Sequence, residues 1–333
     1  MRLASFHTKG RNRIGFEIEP GRLVDAADVL RTLPDIPGAA QIAADSADMV
    51  AVIRAGAPAI EALRQSLRLA QASPDKFPHF AVDEVTWHPP VRTPSKIVCI
   101  ALNNRALDAV KIKAPTDHPA FFLKPSTALT GHRQPIELRS IFGLTHPEPE
   151  LGVIIGSRLR HASPAEALEA VYGYTIVNDV TCVGMREEDS FTVRIFKPGP
   201  DGSVSVAEAH TSYPGRYKAS DTFAPMGPFL VTREEVPEPA ALTITCHLGD
   251  RLVASDNTRN YVWSVANALS HISRTMTLLP GDIVSMGTAV GGERDPDAPQ
   301  VPGVTRANLI GHAGLVTISI SGLGTLENPV QTT

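Results

Sequence analysis

The chain has 333 residues, a formal net charge of −4 at pH 7 and a hydrophobic content of 43%. This length fits a small domain followed by a larger one. Because the sequence has neither a basic stripe nor an apolar run of membrane-spanning length, we expect neither nucleic acid nor a membrane as a partner. The N-terminus lacks a signal-peptide pattern, and the three cysteines lack C-x-x-C spacing. We therefore expect a cytoplasmic protein with reduced thiols.

Residues 1–90 are predicted to form a small N-terminal α/β domain. The first 30 residues indicate two or three short strands, with turns at Lys9-Gly10 and Pro20-Gly21. Helical patterns follow at 40–55 and 58–72, where apolar residues recur three and four positions apart. Three prolines between 88 and 96 then indicate a stiff linker, so a second domain is predicted over residues 95–333.

The second domain contains more predicted strands than helices. Short apolar strands are indicated at 97–102, 120–125 and 151–155, and a hairpin is indicated around Gly249-Asp250. A short helix follows Ser163, where Pro164 and Glu166 complete a capping box, and a longer amphipathic helix lies between 261 and 278. This pattern predicts a β-rich α+β protein with a mixed or antiparallel sheet.

Three acidic residues lie at the edges of apolar strands. Glu148 and Glu150 flank Pro149 before the run Leu-Gly-Val-Ile-Ile, and Asp179 ends the strand "YTIVND". Residues two apart in a strand share a face, so the glutamates require a positive group near them. Oxygen ligands of this kind suit Mg²⁺ or Mn²⁺, with Ca²⁺ as an alternative, although acidic residues at strand ends are often only solvated.

From about residue 95 to its end, the chain resembles the fumarylacetoacetate hydrolase family. The resemblance runs in order through "IVCIALNNR", "FFLKPSTALTG", "EPELGVIIG", "YGYTIVNDVT", "RYKASDTFAPMGPFLVT", "SDNTRNYVWSV", "LPGDIVSMGTAVG" and "GLGTLENPV". It implies a β-rich mixed roll that usually forms a homodimer, and residues 1–90 resemble the small N-terminal domain of many bacterial members. The larger domain is then a fumarylacetoacetate hydrolase-like catalytic domain.

The resemblance also implies a set of site residues. The family's metal ligands fall on Glu148, Glu150 and Asp179, and its lysine beside the metal falls on Lys218. The family's Gly-Thr pair, which binds a substrate carboxylate, falls on 287 and 288. These matches imply a metal-dependent hydrolase that cleaves a C–C bond in a small 2,4-dioxo acid, such as an acylpyruvate, fumarylpyruvate or fumarylacetoacetate. The metal stabilises an enolate in this chemistry, which serves the catabolism of aromatic compounds or sugars.

The sequence departs from the family at the general base. Hydrolytic members often carry a His-x-x-Glu dyad that activates water, and these positions are Leu107 and Val110 here. Asp108 and Lys111 lie one step away from the dyad positions. The alternative interpretation is therefore a decarboxylase, isomerase or tautomerase of a 2-oxo acid, because those reactions need no attacking water. A third interpretation is a binding protein that has lost catalysis.

Further candidates surround these positions. Arg186 replaces a family glutamine that contacts substrate, and is either a partner for a distal substrate carboxylate or a surface arginine. His146 and Lys124 are candidates for supporting contacts around the metal ligands, and His118 is a candidate for the missing base. Residues 187–217 form a longer, turn-rich segment than the family usually has. It is interpreted either as a flap over the substrate or as a dimer contact.

Overall fold

The computed structural model describes residues 1–111, 115–291 and 307–333. Strands outnumber helices within these ranges, so the predicted β-rich α+β class is confirmed. None of the helices in the described ranges is long and apolar enough to cross a membrane.

The strands form four sheets and are numbered in chain order. They are β1 (Arg2–Thr8), β2 (Arg11–Glu19), β3 (Arg22–Asp25), β4 (His79–Ala81), β5 (Thr86–Trp87), β6 (Ile97–Ala101), β7 (Ala120–Lys124), β8 (Leu129–Thr130), β9 (Ile136–Leu138), β10 (Thr145–His146), β11 (Pro149–Ile155), β12 (Val171–Asn178), β13 (Thr181–Cys182), β14 (Phe191–Pro198), β15 (Val204–Thr211), β16 (Ala224–Thr232), β17 (Thr243–Leu248), β18 (Arg251–Asn257), β19 (Ile283–Thr288), β20 (Leu315–Ile320) and β21 (Gly324–Thr332).

The helices are mostly short and are also numbered in chain order. They are α1 (Ala26–Leu30), α2 (Ala39–Asp45), α3 (Met49–Arg54), α4 (Gly56–Ala72), α5 (Pro164–Glu169), α6 (Val183–Glu188), α7 (Arg216–Ala219) and α8 (Val265–Thr275). Single 3₁₀ turns cover Arg105–Val110, Ser126–Ala128, Ser140–Phe142, Arg233–Glu235 and Thr258–Asn260.

A twelve-stranded sheet forms the centre of the molecule. Its main path runs β4-β3-β2-β1-β16-β12-β11-β19-β6-β7, and β5 and β8 pair at its side with β1 and β16. The central strands β11 and β12 are buried along their whole length. Because successive side chains of a strand point to opposite faces, Leu151 and Val153 enter one core whereas Ile154 enters the other. The sheet is therefore covered on both faces.

The two covering layers differ in kind. The five-stranded sheet β18-β17-β20-β21-β9 packs against one face and contributes Ile244, Ile318 and Leu326 to the shared core. Helices of the N-terminal region cover the other face, where Ile53 and Leu63 pack in the second core. The candidate site lies where β11 begins and where β12 and β19 end.

The N-terminal region joins the central sheet directly. Its three strands turn at Lys9-Gly10 and Pro20-Gly21, as predicted, and β1 pairs antiparallel with β16 through Arg2 and Val231. Helices of this region share a core with strands of the larger part. A domain boundary near residue 90 stays a prediction, since sheet and core are continuous across it.

Local signals in the sequence correspond well to the structure, with two exceptions. The capping box at Ser163 and the hairpin turn at Gly249-Asp250 are confirmed. The helix predicted at 40–55 is instead two helices, because Asp48 accepts a hydrogen bond from Val50 N and starts α3. The turn-rich segment 187–217 also contains a hairpin that was not predicted, in which β14 and β15 pair over eight residues each.

Candidate metal centre and substrate pocket

The strand pair β11–β12 brings the acidic residues together. The register pairs Pro149 with Asn178, so Glu148 and Asp179 lie directly beyond the ends of the ladder. Two further hydrogen bonds extend the pairing, from Asp179 N to Glu148 O and from Glu148 N to the Asn178 side chain, each 2.9 Å long. The antiparallel register therefore gathers carboxylates that are about 30 residues apart in the sequence.

The three predicted ligands form one compact cluster. One carboxylate oxygen of each of Glu148, Glu150 and Asp179 lies within 4.8 Å of the others. Lys218 Nζ donates to Glu148 Oε2 at 2.7 Å and to Asp179 Oδ2 at 2.5 Å. Lys124 Nζ forms an ion pair with Asp179 and donates to the carbonyl oxygen of Phe223. Both lysines therefore offset the repulsion between the carboxylates, and a supporting role for Lys124 in function stays a prediction.

The electrostatic balance within the cluster is uneven. Burial, together with Asp179 and Glu148, raises the pKa of Glu150 from its ordinary value of 4.5 to about 8. Burial alone would raise the pKa of Asp179, but Lys124 and Lys218 lower it overall. Burial disfavours a charged Lys218, yet Asp179 and Glu148 raise its pKa overall. The surroundings of Glu150 thus leave the negative charge of its carboxylate incompletely compensated.

Glu150 is held by two donors from the neighbouring strand β19. Its Oε2 accepts hydrogen bonds from Ser285 Oγ at 2.6 Å and from Gly287 N at 2.8 Å, which leaves Oε1 for another partner. Gly287 has a φ of +102°, and a Cβ added there would lie 2.8 Å from Asn103 Cβ, so glycine is required. Ser285 was not predicted; its place two residues before Gly287, on the same face of the strand, was the available signal.

The donor set fits a divalent cation. All three groups are carboxylates, and the raised pKa of Glu150 shows that a positive charge beside it would be favourable. Hard cations such as Mg²⁺, Mn²⁺ and Ca²⁺ take oxygen ligands of this kind. We therefore assign Glu148, Glu150 and Asp179 as the residues that would hold it.

A cavity of about 580 Å³ opens from this cluster. The predicted residues Arg186, Thr288, His146 and Lys218 line it, together with Leu107. Arg186 is exposed on its side chain, whereas Lys218 is buried. For Gly287, the hydrogen bond observed is the one to Glu150, and its predicted role in binding a substrate carboxylate stays a prediction.

The remaining candidates differ in their distance from the cluster. His146 is buried, and its Nε2 lies 3.7 Å from Glu148 Oε1. His118 stacks on His271 of α8, with ring centroids 4.9 Å apart, and is not among the residues that line the cavity. Asp108 and Lys111 pair with each other at 2.8 Å. The side chain of Val110, the second dyad position, lies outside the described residues.

A family profile and several known proteins match this chain. The family profile described as "Fumarylacetoacetate (FAA) hydrolase C-terminal" matches residues 96–331. The chain is 27% identical to the oxaloacetate tautomerase YisK of Bacillus subtilis, over 99% of this chain and 100% of that protein. It is 30% identical to the 2,4-didehydro-3-deoxy-L-rhamnonate hydrolase of Sphingomonas sp., over 90% of this chain and 88% of that protein.

A solved structure is similar to the whole chain. The chain superposes on the maleylpyruvate hydrolase from Sphingobium sp. SYK-6 in complex with manganese (II) ion and pyruvate, with a TM-score of 0.67 and 26% sequence identity. The match covers 100% of this chain and 99% of that one.

Proposed function

Because the chain belongs to the fumarylacetoacetate hydrolase family, we propose that it is a divalent-metal-dependent enzyme that hydrolyses a C–C bond in a small 2,4-dioxo acid. The observation that carries this proposal is the cluster of Glu148, Glu150 and Asp179 at the base of a cavity, with Lys218 beside it. Support also comes from the similarity to two hydrolases, one of them solved with manganese and pyruvate.

The chain's own residues have separable tasks in this proposal. A bound Mg²⁺, Mn²⁺ or Ca²⁺ would supply Lewis acidity toward the oxygen atoms of the substrate. Lys218 stays protonated because Asp179 and Glu148 raise its pKa, so its ammonium group stabilises negative charge that develops on a substrate oxygen. Ser285 and Gly287 orient Glu150.

The substrate-binding residues suggest an acid with two charged ends. Thr288 lines the cavity near the carboxylate cluster, and its hydroxyl, which donates to the Ala289 carbonyl oxygen at 3.1 Å, can rotate to donate to one substrate carboxylate. Arg186 lines the same cavity and is exposed, so its guanidinium can pair with a distal carboxylate. Leu102, Leu107 and Val290 are apolar parts of the lining. We therefore favour a dicarboxylic substrate of the fumarylpyruvate type over a monocarboxylic one.

A second candidate is the interconversion of the keto and enol forms of a 2-oxo acid, or its isomerisation or decarboxylation. The observation that favours it is Leu107, which lines the cavity at the position of the family's water-activating histidine. These reactions move a proton or release CO₂ but require no attacking water. The full-length similarity to an oxaloacetate tautomerase supports the same candidate.

One assay separates the two candidates. Mn²⁺-loaded wild-type protein and Glu150→Gln are incubated with acetylpyruvate, fumarylpyruvate and oxaloacetate, and products are identified by NMR in H₂O and D₂O. Release of pyruvate and a second acid establishes C–C hydrolysis, whereas deuterium exchange beside the keto group without cleavage, faster than in the same Mn²⁺ solution without enzyme, establishes tautomerisation.

We expect Glu150→Gln to lower either activity more than about 10²-fold, since even residues that only support metal ligands contribute 10–100-fold. Glu137→Gln, an exposed glutamate on β9, is the matched control and should retain full activity. Wild-type protein that binds Mn²⁺ but converts none of the three acids would refute the proposal for these substrates and favour the non-catalytic interpretation.

A further inference from the structure

One side of the cavity is assembled from three separate segments. Leu102 and Leu107 come from the chain that follows β6, Val253 comes from β18, and Thr288 and Val290 come from the end of β19. Strands β6 and β19 are neighbours in the central sheet, whereas β18 belongs to the five-stranded sheet. The wall therefore lies at a junction of two sheets, where a backbone hydrogen bond from Ser255 N to the carbonyl of residue 291 links β18 to the end of β19.

The Asp256 carboxylate connects all three segments. Its Oδ2 accepts hydrogen bonds from Asn104 Nδ2 at 2.7 Å and from Val290 N at 2.8 Å. Its Oδ1 accepts from Asn260 Nδ2 at 2.6 Å and from Asn257 N at 2.7 Å. Four donors thus converge on one carboxylate, which ties the two segments of the cavity wall to the end of β18.

Asn104 links Asp256 by hydrogen bonds to the turn that carries Leu107. The Asn104 side chain is 1% exposed, and its Oδ1 accepts a hydrogen bond from Ala106 N at the start of the 3₁₀ turn. Its Nδ2 donates both to Asp256 and, at 3.3 Å, to the carbonyl oxygen of Thr288. The turn and the end of β19 are therefore held at one fixed separation.

We propose that Asp256 is a positioning residue: it fixes the turn carrying Leu107 against the end of β19 and thereby sets which substituents of a 2-oxo acid the cavity accepts. The proposal rests on the proposed function for its substrate class. Asp256 itself does not line the cavity, and the metal-binding carboxylates have other hydrogen-bond partners. Its loss should therefore change substrate selection while leaving metal binding intact.

The test compares Asp256→Asn with wild type and with Asp250→Asn. An amide at position 256 keeps the size of the side chain but presents N–H groups to two of the four donors, so one pair of hydrogen bonds is lost. Asp250 is an exposed aspartate in the turn that precedes β18, which makes Asp250→Asn the matched control.

Three quantities are measured for each protein. The Kd for Mn²⁺ is measured on the metal-free form, and the kinetics and hydrogen–deuterium exchange are measured on the Mn²⁺-loaded form. We expect the Kd for Mn²⁺ to stay unchanged. The ratio of kcat/KM for fumarylpyruvate to that for acetylpyruvate should shift by about tenfold, because small misplacements in a binding site cost one to two orders of magnitude. Hydrogen–deuterium exchange should accelerate in peptides covering 102–111 and 284–291 but not in those covering 149–155.

The outcomes separate this proposal from the proposed function. An unchanged kcat/KM ratio with unchanged exchange in both peptides overturns the positioning role. An equal loss of kcat for both substrates, with faster exchange throughout the protein, also overturns it, because that result describes general destabilisation. If wild-type protein converts neither substrate, the proposed function fails, and the exchange pattern alone decides for or against the positioning role of Asp256.

Discussion

Three carboxylates lie together at the ends of β11 and β12 inside the protein, whereas six large apolar side chains of the β14–β15 hairpin are exposed. Glu150 is 2% exposed, but Phe196 is 65% exposed. Burying a charge and exposing an apolar group are both unfavourable in an isolated chain. The two regions differ in whether contacts within one chain offset that cost.

Within the chain itself, positive side chains offset most of the cost of burying the carboxylate cluster. Lys124 and Lys218 contact its members, although the pKa of Glu150 is still strongly raised. Contacts within the described part of the chain do not offset the cost of the exposed apolar side chains of β14, because this strand is exposed along its whole length. A two-stranded hairpin is only marginally stable in water by itself. We therefore propose that a small cation completes the first region and that a second protein surface, or closure over the cavity, completes the second.

The largest effect is expected from removing the ammonium group of Lys218. Lys218→Met keeps the length of the side chain but removes the ammonium group that contacts Glu148 and Asp179. We expect kcat to fall by about 10²–10³-fold, as for other losses of a single group that stabilises a developing charge. Mn²⁺ binding should persist, since all three carboxylates remain.

Steady-state kinetics at saturating Mn²⁺ and calorimetric titration of the metal check this prediction. Lys76→Met, at an exposed lysine of the N-terminal region, is the control and should change neither quantity. Full activity in Lys218→Met would show that the ammonium group only balances the charge of the metal-free protein.

The next effect concerns pH and the raised pKa of Glu150. Because the pKa of Glu150 is raised from 4.5 to about 8, the folded metal-free protein keeps a proton between these pH values that the unfolded chain has released. The contribution of Glu150 to stability therefore decreases as pH rises through this window. Metal binding must expel the proton, so affinity for Mn²⁺ should rise about tenfold per pH unit up to pH 8 and then level off.

Calorimetric titrations with Mn²⁺ at several pH values, in buffers of different ionisation enthalpy, measure both affinity and proton release. In thermal unfolding without metal, Glu150→Gln should gain stability relative to wild type as pH rises toward 8. An affinity that is independent of pH below 8 would mean that Glu150 is already ionised before the cation binds.

Much of the carboxylate cluster could be predicted from the sequence because its signals are local. Glu148 and Glu150 are two apart at the start of an apolar strand, and ordered family motifs indicate Asp179 and Lys218. Ser285 could not be predicted in this way. It reaches Glu150 across 135 residues of sequence, through the pairing of β11 with β19, and strand pairing at that distance has no local signature.

The same limit applies to the fold. Turns at Lys9-Gly10 and the cap at Ser163 depend on neighbouring residues and were predicted, whereas the junction of β1 with β16 joins Arg2 to Val231 and was not. The hairpin was missed for another reason. Residues 191–195 alternate between apolar and polar side chains, which is typical of a strand, but the turn residues around 200 dominate the pattern of the whole segment.

Changes in the β14–β15 hairpin are expected to affect the chemistry least. They also give the sharpest test of the comparison between the hairpin and the carboxylate cluster. We propose that the chain forms a homodimer in which a second copy covers β14 and β15. Phe196 and Val206 are direct cross-strand partners near the tip, and both are exposed. Replacing both with serine should remove apolar contact area and shift the mass measured by light scattering from twice 35.6 kDa toward 35.6 kDa.

The control is the cross-strand pair Arg194 and Glu208 on the same face, whose replacement by serine removes no apolar side chain and should leave the mass unchanged. The kinetics distinguish the alternative role as a flap, because Ser212 and Pro214 at the base of the hairpin line the cavity. A raised KM with an unchanged mass in the Phe196/Val206 variant would show that the apolar tip closes over the substrate. A reduced mass with an unchanged KM would instead place the exposed apolar side chains at the contact between two copies, where their burial offsets the cost that they carry in one chain.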